Sequence, residues 1–287
     1  MNITQLRNAT VLVEIGPHRL LVDPMLAAAG ALPSLKWFTT QRRRNPLVDL
    51  PPGSDSVLDR ATHALITHCQ RGHFDHLDSA GRRWLRQRGL PVLCMPDDLV
   101  HLQGRGLNAV ALQQAGSSTV DGLRITPVPC LHGEGWVGRF MAHGYGYFIE
   151  FPGEPTLYIA GDTVLTDTVK DCVLRRHPDV CIVPAGGAAF DLGGEIIMDG
   201  GQAMTLAALG RGAFVANHLE ALDHCPTTRA QLRSAAIVRG LGERFFVPED
   251  GEVLSFAGVQ APSASVAPPH ARRATPGVDL ALVDPTA

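Results

Sequence analysis

The chain has 287 residues, 45% hydrophobic and 18% charged, with a formal net charge of -3. This is an ordinary globular composition, and without a basic excess neither nucleic acid nor an anionic membrane surface is a favoured partner. No apolar run reaches the length of a membrane span, and the opening MNITQLRNATVLVEIG alternates like a strand instead of following the basic-then-apolar order of a secretion signal.

In chain order, ATVLVEIG and HRLLVDP are apolar, β-branched runs split by Gly16 and Pro17, which predicts a strand meander. Residues 25–56 are irregular and rich in Pro, Gly and Arg, and loops of that length are often functional. ATHALIT reads as a buried strand. A helix is predicted over 79–88, ended by Gly89 and Pro91, then a short strand PVLCM and a helix over 97–104 behind Pro96. Strands follow at NAVAL, STVDG and LRITPVPCL, and another pair at GYGYFIEF and TLYIAGD. Helices over 166–176, 201–209 and 227–239 then alternate with DVCIVPA and AFVANH, and the strands FFVP and EVLSF close the unit. From about Ala261 onward Pro, Ala and Ser dominate, so one domain over 1–258 and a flexible tail over 259–287 are expected. Cys69, Cys94, Cys130, Cys172, Cys181 and Cys225 form no CxxC pair, which fits a reduced, cytoplasmic chain whose thiols act mostly as small buried hydrophobes.

One stretch, ITHCQRGHFDHLD, holds His68, His73, Asp75 and His76 within nine residues. Imidazole and carboxylate are the usual ligands of zinc and similar divalent ions. Alternate residues of an extended chain share a face, so a turn after the strand can bring the HFDH residues inward beside His68. Burying four such groups without a cation would leave several polar atoms to satisfy. Other polar candidates also stand just past strand ends: His132 after PVPCL, Asp162 in IAGDT and His218 after FVAN. Rigid strands that carry such loops are a common way to build a site.

Thr67-His68 and His73-Phe74-Asp75-His76 resemble the T-H-x-H-x-D-H signature of the metallo-β-lactamase superfamily. The gap between His68 and His73 is longer than in that signature, and a lengthened loop could carry His68 away from the metal, with Cys69 as a weaker substitute. The downstream order of His132, Asp162 and His218 is similar too, and the resemblance runs from about Asn2 to Phe256. It implies an α/β (α+β) fold, a four-layer αββα sandwich with the metals at one edge. It also implies two divalent ions, Zn2+ by default, with Mn2+ or Fe2+ fitting the same ligands. His68, His73 and His132 would hold one, Asp75, His76 and His218 the other, and Asp162 would bridge.

A narrower resemblance lies in ITQLRNATVLVEIGPHRLLVDP, which is similar to the start of the L-ascorbate-6-phosphate lactonase-like group. There an early Asp-Pro lies near the metals, so Asp23 is either a ligand support or a turn residue before Pro24. The implied activity is hydrolysis, in which a metal-bound hydroxide attacks a small-molecule ester, lactone or phosphoester. Asp75 would be catalytic as well as a ligand. His224, in NHLEALDHCPTTR, would bind an anionic group or move a proton, or else simply enter a helix. Arg42, Arg43 and Arg44 either form a solvated loop or reach the substrate, which would then be anionic. The glycines of 186–201 either line the pocket or make tight turns. Glu134 is expected in solvent and His143 to be structural. Two other classes remain in view: a non-catalytic or regulatory ligand-binding protein on the same fold, and a metal-dependent oxidoreductase. The lengthened gap favours the first, and the lack of a flavin-binding domain weighs against the second. The expected partner is a small-molecule substrate, and a homo-oligomer is the base-rate assembly.

Overall fold

The computed structural model describes residues 1–40, 42–70, 73–138, 141 and 144–257; His143 and the tail expected over 259–287 lie outside the described residues. Among the described residues are two seven-stranded sheets. The first runs in the order β14 (Val253–Ser255), β1 (Asn2–Arg7), β2 (Thr10–Ile15), β3 (His18–Val22), β4 (His63–Leu65), β5 (Pro91–Cys94), β6 (Asn108–Ala111). The second runs β13 (Phe245–Phe246), β12 (Ala213–Asn217), β11 (Val180–Pro184), β10 (Leu157–Ile159), β9 (Tyr145–Glu150), β8 (Leu123–Pro129), β7 (Ser118–Val120). Each sheet is half meander and half parallel. Pairing is antiparallel from β14 through β3 and parallel from β3 to β6. The second sheet repeats this, antiparallel from β7 to β10 and parallel from β10 to β13.

Side-chain alternation produces the layers. In β11 every residue is buried; Val180 and Ile182 face the core between the sheets, while Cys181 and Val183 face helices. Those helices are α5 (Asp167–Arg176), α6 (Gly200–Leu209) and α7 (Arg229–Val238). In β2, Val11, Val13 and Ile15 enter the inter-sheet core, and Leu12 turns outward to meet Leu58 of α1 (Ser54–Leu58). Leu85 of α2 (Ser79–Arg88) and Leu102 of α3 (Pro96–Gln103) complete the cover of the first sheet. This is the expected αββα order. Two short helices, α1 and α4 (Gly135–Gly138), were not expected, because four or five residues are too few to display a helical period. Of the six cysteines, all unpaired, Cys69, Cys94, Cys172 and Cys181 are buried as anticipated. Among the described residues no helix is long and apolar enough to cross a membrane.

The long irregular segment is anchored, not loose. Arg7, fully buried, donates from Nη2 to the carbonyls of Met25 (2.6 Å) and Ala27 (2.9 Å) and from Nη1 to Val48 (2.9 Å). One guanidinium thus ties both ends of a loop spanning 25–48, and its carbonyl partners are satisfied in return. Asp78 caps α2 through Gly81 N (2.6 Å) and with its other oxygen accepts from Ala27 N (2.7 Å), which joins the helix start to the same loop. Farther along, the loop lies on the segment after β12, where Leu47 N donates to Ala221 O (2.8 Å).

Gly146 marks the closest approach inside the second sheet. A Cβ there would sit 2.5 Å from Ile159 O and 2.6 Å from Ala160 O, both backbone atoms of the neighbouring strand and its exit. Gly146→Ala is therefore expected to destabilise the fold by about 1–3 kcal/mol, read as a lower urea midpoint at an unchanged slope.

Candidate metal centre

The parallel strands end at one edge of the sandwich, and three of the polar candidates leave from those ends, with His132 arriving from the antiparallel β8. His68 follows β4, Asp162 follows β10, His218 directly follows β12, and His132 follows β8. Ligands beyond the carboxyl ends of parallel strands are the general pattern for such sheets. All seven residues singled out by their sequence context come together, in two sets. The candidate ligand atoms of His68, His73 and His132 lie within 4.8 Å of one another, as do those of Asp75, His76, Asp162 and His218. The long gap does not displace His68, whose ring centroid lies 4.5 Å from that of His73 and 5.1 Å from that of His132. Cys69 does not replace it: its side chain is buried in the cluster under α2 and α3 and hydrogen-bonds to Asp98.

Most of these imidazoles are oriented by a partner on the ring nitrogen that faces away from the cluster. His76 Nδ1 donates to Asp23 Oδ2 (2.9 Å), and His132 Nδ1 donates to Ile196 O (2.8 Å). His68 Nδ1 meets Thr67 Oγ1 (3.1 Å), and His218 Nδ1 meets Cys225 Sγ (3.4 Å). Asp23 is itself fixed by Thr67, whose N–H (2.9 Å) and hydroxyl (2.6 Å) both donate to it. The early Asp-Pro is therefore a support of the cluster as well as a turn, with Asp23 at φ 44°. With Nδ1 occupied, Nε2 is left for the interior, and fixing the tautomer this way makes an imidazole a better ligand.

The donor set fits a cation. His68 Nε2 and His73 Nδ1 are buried with no hydrogen-bond partner among the described residues. Such orphaned nitrogens are costly unless something accepts their lone pairs. Burial lowers the pKa of His68 far below the usual histidine value, brings His73 down to about 4 and lowers His132, so all three rings are neutral near pH 7. The other set is charged. Burial opposes a proton on His76 and His218, yet the carboxylates around them, Asp162 foremost, outweigh it and raise both. Burial likewise works against ionisation of Asp75 and Asp162, and the neighbouring His76 and His218 overcome it and hold both carboxyls below the usual range. A divalent ion entering this set would take over the charge balance and displace those protons. One atom touches both sets: Asp162 Oδ2 lies 3.0 Å from His76 Nε2, 3.4 Å from His218 Nε2 and 3.7 Å from His132 Nε2.

Other candidates fall at varied distances. His224 is buried, its ring 6.4 Å from that of His218 and stacked on Phe190 at 6.0 Å. The segment 188–197 walls the site on both sides, with Ile196 against His132 and Phe190 against His224. The glycines of 186–201 serve in part as turns: Gly187 has φ 60° and Gly193 φ 111°. Arg44 is turned to the carbonyls of Gly30 (2.6 Å) and Ala31 (2.9 Å), which uses it to shape the loop. Glu134 is exposed, as expected. Sequence reasoning missed Asn8 and Cys225. Asn8, left-handed at φ 56° between β1 and β2, accepts from His218 N (3.0 Å) and donates to Asp75 O (3.3 Å). An Asn in a two-residue turn between strands was the available signal; for Cys225 there was only its position beside His224.

Asp23→Asn keeps the shape of the support but loses its charge. Metal affinity is expected to fall roughly 10–100-fold, measured by competition with a chromophoric chelator.

Three comparisons bear on this geometry. The model of the Beta-lactamase superfamily domain matches residues 2–216. The chain is 30% identical over 259 residues to the UPF0173 protein YddR of Bacillus subtilis, covering 89% of this chain and 100% of that one. It is 30% identical over 192 residues to a UPF0173 metal-dependent hydrolase of Cereibacter sphaeroides, covering 65% of this chain and 74% of the relative. Among solved structures, isothiocyanate hydrolase from Delia radicum gut bacteria superposes with a TM-score of 0.81 at 28% identity, covering 90% of this chain and 100% of that one. The chain thus belongs to the β-lactamase superfamily and, within it, to UPF0173, as a metal-dependent hydrolase of the metallo-β-lactamase fold.

Proposed function

We propose that the protein hydrolyses a small-molecule ester, lactone or phosphoester at two divalent ions, Zn2+ by default. His68, His73 and His132 would hold one, Asp75, His76 and His218 the other, with Asp162 shared between them. The observation that carries this reading is Asp162 Oδ2, which faces imidazoles of both sets within 3.7 Å. Two ions so held would lower the pKa of a water between them and polarise the bond under attack.

The chain's own groups do the rest. Asp75, its carbonyl tied to Asn8 and its Oδ2 3.5 Å from His218 Nε2, would orient the attacking water and take its proton. His224, held in plane by Phe190, delivers a proton to the leaving group or steadies the oxyanion. A second substrate is favoured by the likeness to the isothiocyanate hydrolase: an isothiocyanate carbon is an electrophile that water attacks as it does a carbonyl.

The test is a panel of aryl and alkyl esters, lactones, phosphoesters and isothiocyanates against protein stripped by chelator and reloaded with Zn2+, Mn2+ or Fe2+. Hydrolysis of one class, restored only by metal, is expected. His224→Ala should keep about two metals per chain yet lower kcat by roughly 10^2–10^4. Loading with two ions and turnover of nothing in the panel would instead favour a ligand-binding member of the fold.

A further inference from the structure

Three large apolar side chains that the chemistry above does not use are exposed on the two segments that meet beside the site. Trp37 is 70% exposed, Phe38 79% and Leu192 64%. They come from two separate segments, the loop over 25–48 and the segment 188–197, which meet at Asp191. The Asp191 carboxylate accepts from the main-chain N–H groups of both Trp37 and Phe38, the latter at 2.7 Å. Those two hydrogen bonds hold the Asp191 carboxyl below its usual range. The loop is fixed a second time by Asp223, which accepts from Ser34 Oγ (2.5 Å), Leu35 N (3.1 Å) and Asn45 Nδ2 (3.0 Å).

Exposed aromatic residues on a loop usually need no explanation when scattered singly. Here Asp191 adjoins Phe190, which stacks on His224. Phe190 also packs with Met141 and Cys225 against Ala188, Ile196 and Ile197. Apolar packing therefore runs from beside His224 and His132 to Phe190, the residue before the Asp191 that holds Trp37 and Phe38. Along the same loop the Asp191 and Asp223 carboxylates are occupied by backbone and side-chain donors, and Arg44 is committed to Gly30 and Ala31.

We propose that Trp37, Phe38 and Leu192 form a collar that receives an apolar aryl or alkyl substituent of the substrate while its reacting group sits at the metals. This rests on the metal-centred reading above and narrows its substrate class: esters, lactones or isothiocyanates with an apolar tail are preferred over phosphorylated sugars. Loop residues on a rigid scaffold are where such selectivity resides.

The test separates head from tail. Acetohydroxamate and 4-phenylbutyrohydroxamate share a metal-binding head and differ only in an apolar tail. Their binding to the metal-loaded protein is measured by calorimetry, for the wild type and for Trp37→Ser/Phe38→Ser and Leu192→Ser. The phenyl compound is expected to bind roughly tenfold or more tightly than acetohydroxamate in the wild type, and the ratio to fall below about threefold in the double variant. Equal binding of the two in the wild type, or an unchanged ratio in the variants, overturns the collar and leaves the metal centre standing. Binding of neither hydroxamate to a loaded protein overturns both. Sedimentation is run in parallel: a dimer that the double variant dissociates, with the ratio intact, would assign these side chains to contact with a second copy and also overturn the collar.

Discussion

Seven ionisable side chains buried against one another dominate the energetics of this molecule. Little water reaches them, so their charges and lone pairs must be answered mostly locally or by an ion. The two sets meet this in different ways. His76 and His218 balance Asp75 and Asp162, whereas His68 and His73 keep nitrogens that nothing among the described residues satisfies. A fold that carries this arrangement has accepted a destabilised pocket in exchange for affinity for cations.

That pocket depends on backbone placement more than on side-chain rotamers. Asp23, Asn8 and His218 all adopt left-handed backbone conformations, uncommon for residues other than glycine. Each makes a sharp change of direction at the end of a strand, and each brings a polar group into the cluster that a straight continuation would carry past it. The same logic explains Thr67, which sits between His68 and Asp23 and transmits the position of one strand exit to another.

Much of this was legible in the sequence. The strand runs and all seven clustered residues could be read because each has a local signature: alternation, a turn residue, or a polar group just past an apolar run; the αββα order came from the resemblance to the metallo-β-lactamase superfamily. What could not be read depends on contacts distant in the chain. Nothing near Arg7 announces that it would be buried and bound to carbonyls about 20 and 40 residues away. Cys225 looks like one more small hydrophobe until His218 is folded against it. The long gap before His73 suggested a displaced His68, but the two rings lie 4.5 Å apart. The arginine cluster gives the same lesson in reverse, since Arg44 is spent on the loop's own carbonyls.

The buried Arg7 has a consequence for how this protein can diversify. By joining residues 25 and 27 to residue 48, it makes the intervening chain an appendage whose two roots stay put whatever lies between them. A change within that span therefore reaches the strands that carry the histidines only through those roots, while its middle is held from the other half of the chain by Asp191 and Asp223.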